Sequence, residues 1–107
     1  MQNVAQLDRV FYAIGNRTRR AILANLAEGE QSTGAIAKKF TLSRPAISKH
    51  LGVLKAAGLV RRRHEGRNQI YTLEAEPLVA ARNWLSQYER FWQLSMARLQ
   101  QHLEQEE

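Results

Sequence analysis

The chain has no cysteine among its 107 residues. That absence excludes disulfides, a thiol nucleophile, thiol redox sensing and any thiolate metal site. Proline is nearly missing too, and both copies, Pro45 and Pro77, sit where a helix is expected to begin. No apolar run approaches the roughly 20 residues a membrane span needs. The N-terminal residues lack a signal-peptide pattern. The expectation is a cytoplasmic protein with no membrane partner. Low-complexity tracts, internal repeats and long linkers are also lacking. What remains, 44% hydrophobic and 24% charged residues, is the composition of an ordinary folded domain, expected to span residues 1–107 as one unit.

Acids are scarce relative to bases, 10 against 16, giving a formal charge of +6 and a pI near 10.3. The excess is not uniform. Residues 38–67 carry nine basic side chains and one acid, Glu65, for a net +8. Residues 74–107 carry three basic and six acidic side chains, for a net −3. A polyanion is therefore expected to meet the middle of the chain, while the C-terminal third serves another purpose.

Hydrophobic spacing predicts a mostly α chain with a small β-hairpin, in the order α-α-α-α-β-β-α. Val4, Leu7, Val10, Phe11 and Ile14 recur at helical spacing over 4–14. Gly15 ends that helix, and Asn16 is a suitable N-cap for a second over 17–27, which buries Ile22, Leu23 and Leu26. Ser32 or Thr33 caps a short third helix. After the break Thr41-Leu42-Ser43, Ser43 caps a fourth, with Pro45 in its first turn and Ile47, Leu51 and Leu54 as its apolar stripe. Gly58 stops it. Two short β runs, 60–64 and 69–73, flank Gly66-Arg67-Asn68. A single long helix is predicted over about 78–103, opened by Pro77.

Residues 33–57 thus read as a helix-turn-helix and 60–73 as a wing. On a wheel of about 100° per residue, the outer face of the fourth helix holds Pro45, Ser48, Lys49, Gly52 and Ala56. Small side chains let a helix approach base edges in the major groove, and the helix N-terminus favours phosphate. A helix solvated merely for solubility would show more Glu and Lys. Arg61, Arg62, Arg63 and His64 lead into the hairpin, and Arg67 stands at its tip beside Asn68. A tip arginine suits the negative potential of a minor groove, although charges on a strand also protect a sheet edge from pairing. Pro45, Ser48, Lys49, Arg61, Arg63, Arg67 and Asn68 are the candidate DNA contacts that the wheel and the hairpin offer. His50 lies near the core edge of the wheel, where packing or a phosphate contact is as open a reading as base readout.

The stretch from Phe11 to Leu73 resembles the ArsR/SmtB family of winged-helix repressors. The resemblance rests on Ala13-Ile14-Gly15-Asn16-Arg17-Thr18-Arg19-Arg20-Ala21-Ile22-Leu23, on Leu42-Ser43-Arg44-Pro45-Ala46-Ile47-Ser48-Lys49-His50-Leu51, on Leu54-Lys55-Ala56-Ala57-Gly58-Leu59-Val60, and on Glu65-Gly66-Arg67 before Tyr71-Thr72-Leu73. Arg17 departs from the pattern, since many members carry Pro there. The resemblance implies a homodimer that binds double-stranded operator DNA and represses transcription. It implies DNA contacts from Ser43, Arg44, Ser48, Lys49 and His50, with Arg67 in the wing.

Metal-sensing relatives need thiolates near the third helix, or paired imidazoles and carboxylates on the last one. Gln31-Ser32-Thr33-Gly34-Ala35 offers no thiol, and His102 is the only imidazole of the last helix. No metal, cofactor or effector is specified, although a small hydrophobic effector at a dimer interface stays open as an alternative. The last helix is instead apolar. Leu78, Leu85, Tyr88, Trp92, Met96, Leu99 and Leu103 run down one face, and Trp84, Phe91 and Leu94 widen it. That stripe is broader than a chain of this length can cover alone. With Val4, Leu7 and Phe11 it predicts a homodimer joined through the terminal helices 4–14 and 78–103, although Trp84 or Phe91 is expected to pack partly on its own domain.

Other classes fit less well. No Ser/His/Asp set, phosphate loop or dinucleotide fingerprint is present, so an enzyme is not expected. RNA binding wants exposed aromatics beside the basic surface, whereas the aromatics here lie in the end helices and the hairpin core. An architectural DNA binder, or a protein-interaction module built on the last helix, completes the alternatives. With about four to six phosphate contacts per subunit, a dimer predicts a slope of log K against log[salt] of roughly −7 to −11.

Overall fold

The starts of three helices follow from a side chain that accepts a stranded backbone N–H. In the computed structural model, which describes residues 4–105, α1 (Val4–Ile14) is followed by α2 (Arg17–Leu26), whose cap Asn16 accepts from the Arg19 N–H at 3.0 Å. Ser32 caps α3 (Thr33–Phe40) through Ala35 N–H at 3.1 Å, and Ser43 caps α4 (Arg44–Ala56) through Ala46 N–H at 3.3 Å. Pro45 occupies the first turn of α4, where no intrahelical donor is lost. Gly58, at φ +76°, makes the left-handed exit into the wing.

The wing is a two-residue hairpin. Strands β2 (Val60–Glu65) and β3 (Asn68–Leu73) pair antiparallel from Val60 with Leu73 to Glu65 with Asn68. Gly66, at φ +62°, takes the left-handed turn position. A further strand lies outside the sequence expectation. β1, only Gln31 and Ser32, pairs with β3, so the sheet has three strands in the order β1-β3-β2. Two residues are too few to show a period, and the strand exists because β3 offers a free edge next to the α3 cap.

The core lies where α1 to α4 meet the sheet. Val10, Ile22, Ile36, Ile47, Leu51, Leu54 and Leu59 have no exposure at all, and Tyr71 and Val60 close the floor. Every apolar position predicted inside α2 and α4 is buried.

The long terminal helix is corrected to two. α5 (Glu76–Ser86) packs on α1, and α6 (Glu89–Gln105) begins after a break at Gln87 and Tyr88. The break has a local cause. Ser86 Oγ donates to the Asn83 carbonyl at 2.7 Å, and Gln87 Nε2 donates to the Trp84 carbonyl at 2.9 Å. Side-chain bonds of this kind compete with the helical ladder. Trp84 packs on its own domain as expected, edge-on to Phe11 with ring centroids 5.5 Å apart and against Tyr88 at 5.3 Å. α6 has no buried residue. The molecule consequently measures 64 × 37 × 20 Å, with a radius of gyration of 18.4 Å. A compact chain of this length would have about 13 Å.

Candidate nucleic-acid interface

The turn Thr41-Leu42-Ser43 sets α3 and α4 into the helix-turn-helix. Thr41 adopts φ +52°, and its N–H and that of Leu42 close back on Ala37 and Lys38 carbonyls. The chain reverses there without a glycine. α4 then turns Ile47, Leu51 and Leu54 into the core and leaves Arg44, Pro45, Ser48, Lys49 and Gly52 exposed. Nothing lies within 4 Å of where a Gly52 side chain would begin. The outer face is open and shallow, as the wheel predicted.

Three segments that are distant in sequence meet beside that face. Ser32, Thr33 and Gly34 from the start of α3, Arg44 and Ser48 from α4, and Arg67, Asn68 and Gln69 from the wing line one cleft of about 230 Å³. Gly34 lets Arg44 lie close against the start of α3. A side chain there would begin 2.7 Å from a terminal nitrogen of Arg44, so the missing Cβ is the space the guanidinium occupies. Thr33 Oγ1 is buried without a hydrogen-bond partner among the described residues. Two arginines, the positive end of α3 and an unused hydroxyl suit an anionic oxygen such as a backbone phosphate. Sequence reading did not find Ser32, Thr33, Gly34 or Gln69. The available signal was small polar residues at a helix start ahead of a basic segment.

The wing arginines divide by strand face. Arg63 makes a forked ion pair with Glu30 and also binds Glu65 at 2.9 Å. This hydrogen bonding, first from Glu30 and then Glu65, raises the Arg63 pKa further, and the Arg63 bond holds the Glu30 carboxyl below its ordinary range. Arg61 pairs with Glu74 at 3.2 Å. Arg62 and Arg67 are exposed and form no ion pair among the described residues. Of the wing cations chosen from sequence, Arg67 keeps its charge unpaired, Arg61 and Arg63 do not, and Arg62, left out of the contact set, does.

His50 is half-buried and faces inward rather than outward with Lys49. Its Nδ1 lies 3.4 Å from Nη1 of Arg19. Burial, and next the Arg19 charge, lower its pKa from the ordinary 6.5. Arg19, which sequence reading passed over, is 8% exposed.

The predicted interface residues fall into two groups. Leu7 and Phe11 are half-buried against their own core, whereas Val4, Leu85, Tyr88, Trp92, Met96, Leu99 and Leu103 stay exposed. Phe91 is exposed as well, at 68%. An open apolar cleft of about 630 Å³ runs between the end of α1, α5 and α6, lined by Ile14, Leu78, Ala81, Leu85 and Trp92 with Arg82 and Glu89 at its rim. Among the described residues, no helix is long and apolar enough to cross a membrane, and no group of His, Asp and Glu is placed to hold a metal ion.

A capped helix pair, an open-faced second helix and a charged hairpin on a three-stranded sheet together define a winged helix-turn-helix fold. Residues 14–63 match a family model described as a helix-turn-helix domain. The chain is 44% identical to the HTH-type transcriptional regulator Rv2034 of Mycobacterium tuberculosis over 79% of this chain and 77% of that one. It is 38% identical to the transcriptional repressor SdpR of Bacillus subtilis over 74% and 88%. The crystal structure of an ArsR family transcriptional regulator superposes with a TM-score of 0.77 and 33% identity, over 86% of this chain and 95% of that one. A solution structure from Mycobacterium bovis, titled a homodimeric winged helix-turn-helix DNA-binding domain of "a possible ArsR-family transcriptional regulator", gives 0.67 and 33%, over 79% and 82%. The protein belongs to the ArsR family of helix-turn-helix transcriptional regulators.

Proposed function

We propose that this regulator is a homodimeric, cytoplasmic repressor that reads an inverted-repeat operator. α4 enters the major groove with Ser43, Arg44, Pro45, Ser48 and Lys49. Arg67 and Asn68 contact DNA from the wing, joined by Arg62. Arg61 and Arg63 serve mainly to hold the wing to Glu74 and Glu30. Residues 33–57 and 60–73 form the DNA-binding part, and α1, α5 and α6 the dimerisation part. The cleft between α3, α4 and the wing tip carries this reading, because Arg44 and Arg67 both line it beside the open helix face and can donate to a backbone phosphate. Relatives named as a repressor and as a homodimeric DNA-binding domain support the sign and the assembly.

The dimer follows from α6. A solitary helix of this length is marginal in water, and none of the residues of this one is buried against its own chain. A second copy supplies the missing surface and covers the apolar cleft beside Trp92.

Binding measured against salt checks the assignment. Withdrawing Arg61 and Arg63 and adding Arg62 leaves about three to five phosphate contacts per subunit, so the slope of log K against log[salt] is expected near −5 to −9. A slope shallower than about −3 would contradict phosphate contacts from both subunits.

A further inference from the structure

Arg19 is a buried cation with no carboxylate paired to it among the described residues. Its guanidinium instead closes the end of α1. Nε donates to the Ala13 carbonyl at 2.8 Å, one terminal nitrogen donates to the Tyr12 carbonyl at 3.0 Å, and Cζ lies 5.1 Å from the Tyr12 ring centroid. These carbonyls form the negative end of the α1 dipole. The other terminal nitrogen faces Nδ1 of His50, on α4. Arginine has donors only, so the nitrogen opposite it acts as acceptor and the ring proton belongs on Nε2. One side chain of α2 thus joins the last turn of α1 to the middle of the DNA-reading helix. The position is unusual for a cation, since positive charge in the first turn of a helix opposes that helix's own dipole.

We propose that Arg19 is a positioning residue for DNA binding: by holding His50 as the Nε2–H form, it locks α4 to the end of α1 and so sets the recognition helix relative to the dimer. The inference rests on the reading of α4 as the DNA-reading helix. It makes operator recognition dependent on one proton. Of the charged groups on α1, α2, α3 and β2, the elements packed against α4, Arg19 is the one whose charge acts on His50; Tyr12 contributes its ring to Arg19. Protonation at Nδ1 replaces the acceptor by a donor and sets two cations face to face. Because burial and Arg19 lower the folded-state pKa, the lock is complete above 6.5 and is lost as pH falls through that lowered value.

Nitrogen NMR of the free protein and operator binding relative to random duplex, measured at about pH 7.5 and about pH 5, test this together. The wild type is expected to show His50 as the Nε2–H tautomer, and its operator preference is expected to fall about tenfold once the same spectra show His50 protonated on lowering the pH. Arg19→Lys keeps the charge without the fork. A folded Arg19→Lys is expected to lose the single tautomer and about tenfold in operator preference. His50→Asn is expected to flatten the pH profile, whatever its absolute affinity. A wild-type Nδ1–H tautomer, or a folded Arg19→Lys with unchanged tautomer and operator preference, would overturn the positioning role. No operator preference by the wild type at either pH would instead overturn the reading of α4 on which it rests.

Discussion

Leu99→Glu is expected to convert the dimer to a monomer and to abolish tight operator binding. Leu99 lies midway along α6, half-exposed, in line with Trp92, Met96 and Leu103. In a two-fold interface each substitution occurs twice, so two carboxylates would be buried without partners. At about 3 kcal/mol each, the dimer weakens by about 6 kcal/mol, roughly 10⁴-fold in its dissociation constant. Losing the second half-site then costs about a hundredfold or more in DNA affinity, because the second subunit no longer binds at high effective concentration. The fold of residues 4–86 should survive, since α6 contributes nothing to its core. Sedimentation equilibrium alongside DNA titration reads both effects. A Leu99→Glu protein that keeps dimer mass and operator affinity would remove α6 from the interface.

The second large effect is on stability. Leu51→Ala deletes a side chain with no exposure from the inner face of α4, between Ile47 and Leu54. The transfer and cavity costs together come to about 2.7–5 kcal/mol. For a domain near this size that lowers Tm by about 12–25 °C in thermal unfolding at fixed protein concentration. A loss below about 1 kcal/mol would mean that α4 is not anchored as described.

Legibility followed the strength of the local signal. α4 was readable in full, because Ser43, Pro45, the Ile47-Leu51-Leu54 stripe and Gly58 all agree on one helix with one buried face. The wing was readable because Gly66 stands between two β-prone runs. Thr41 hid the geometry of the turn. A β-branched residue rarely takes a left-handed conformation, and only the α3 carbonyls waiting for its N–H and that of Leu42 place it there. The break at Gln87 and Tyr88 was hidden for a similar reason, since neither glycine nor proline marks it and the apolar stripe continues across it.

Charge was the least legible feature of the candidate site. Arg61, Arg62 and Arg63 are equivalent as sequence. The strand alternation sends the first and third toward Glu74 and Glu30, residues that lie far away along the chain or beyond the sheet. Arg19 was hidden among three neighbouring arginines. Its one sequence signal is a cation in a helix's first turn, where the dipole disfavours it. His50 stood at the core edge with packing, a phosphate contact and base readout all open, and only the fold shows that its Nδ1 lies 3.4 Å from Arg19.

The central claim is that two copies of α4 read base sequence in adjacent major grooves. Selection of random duplex DNA by the purified protein at about 150 mM salt, near physiological ionic strength, tests it most directly. The expected product is an inverted repeat with half-site centres about one helical turn apart, near 10 bp. Tight recovery of DNA without any enriched sequence would contradict it and would leave the basic middle of the chain as an electrostatic clamp.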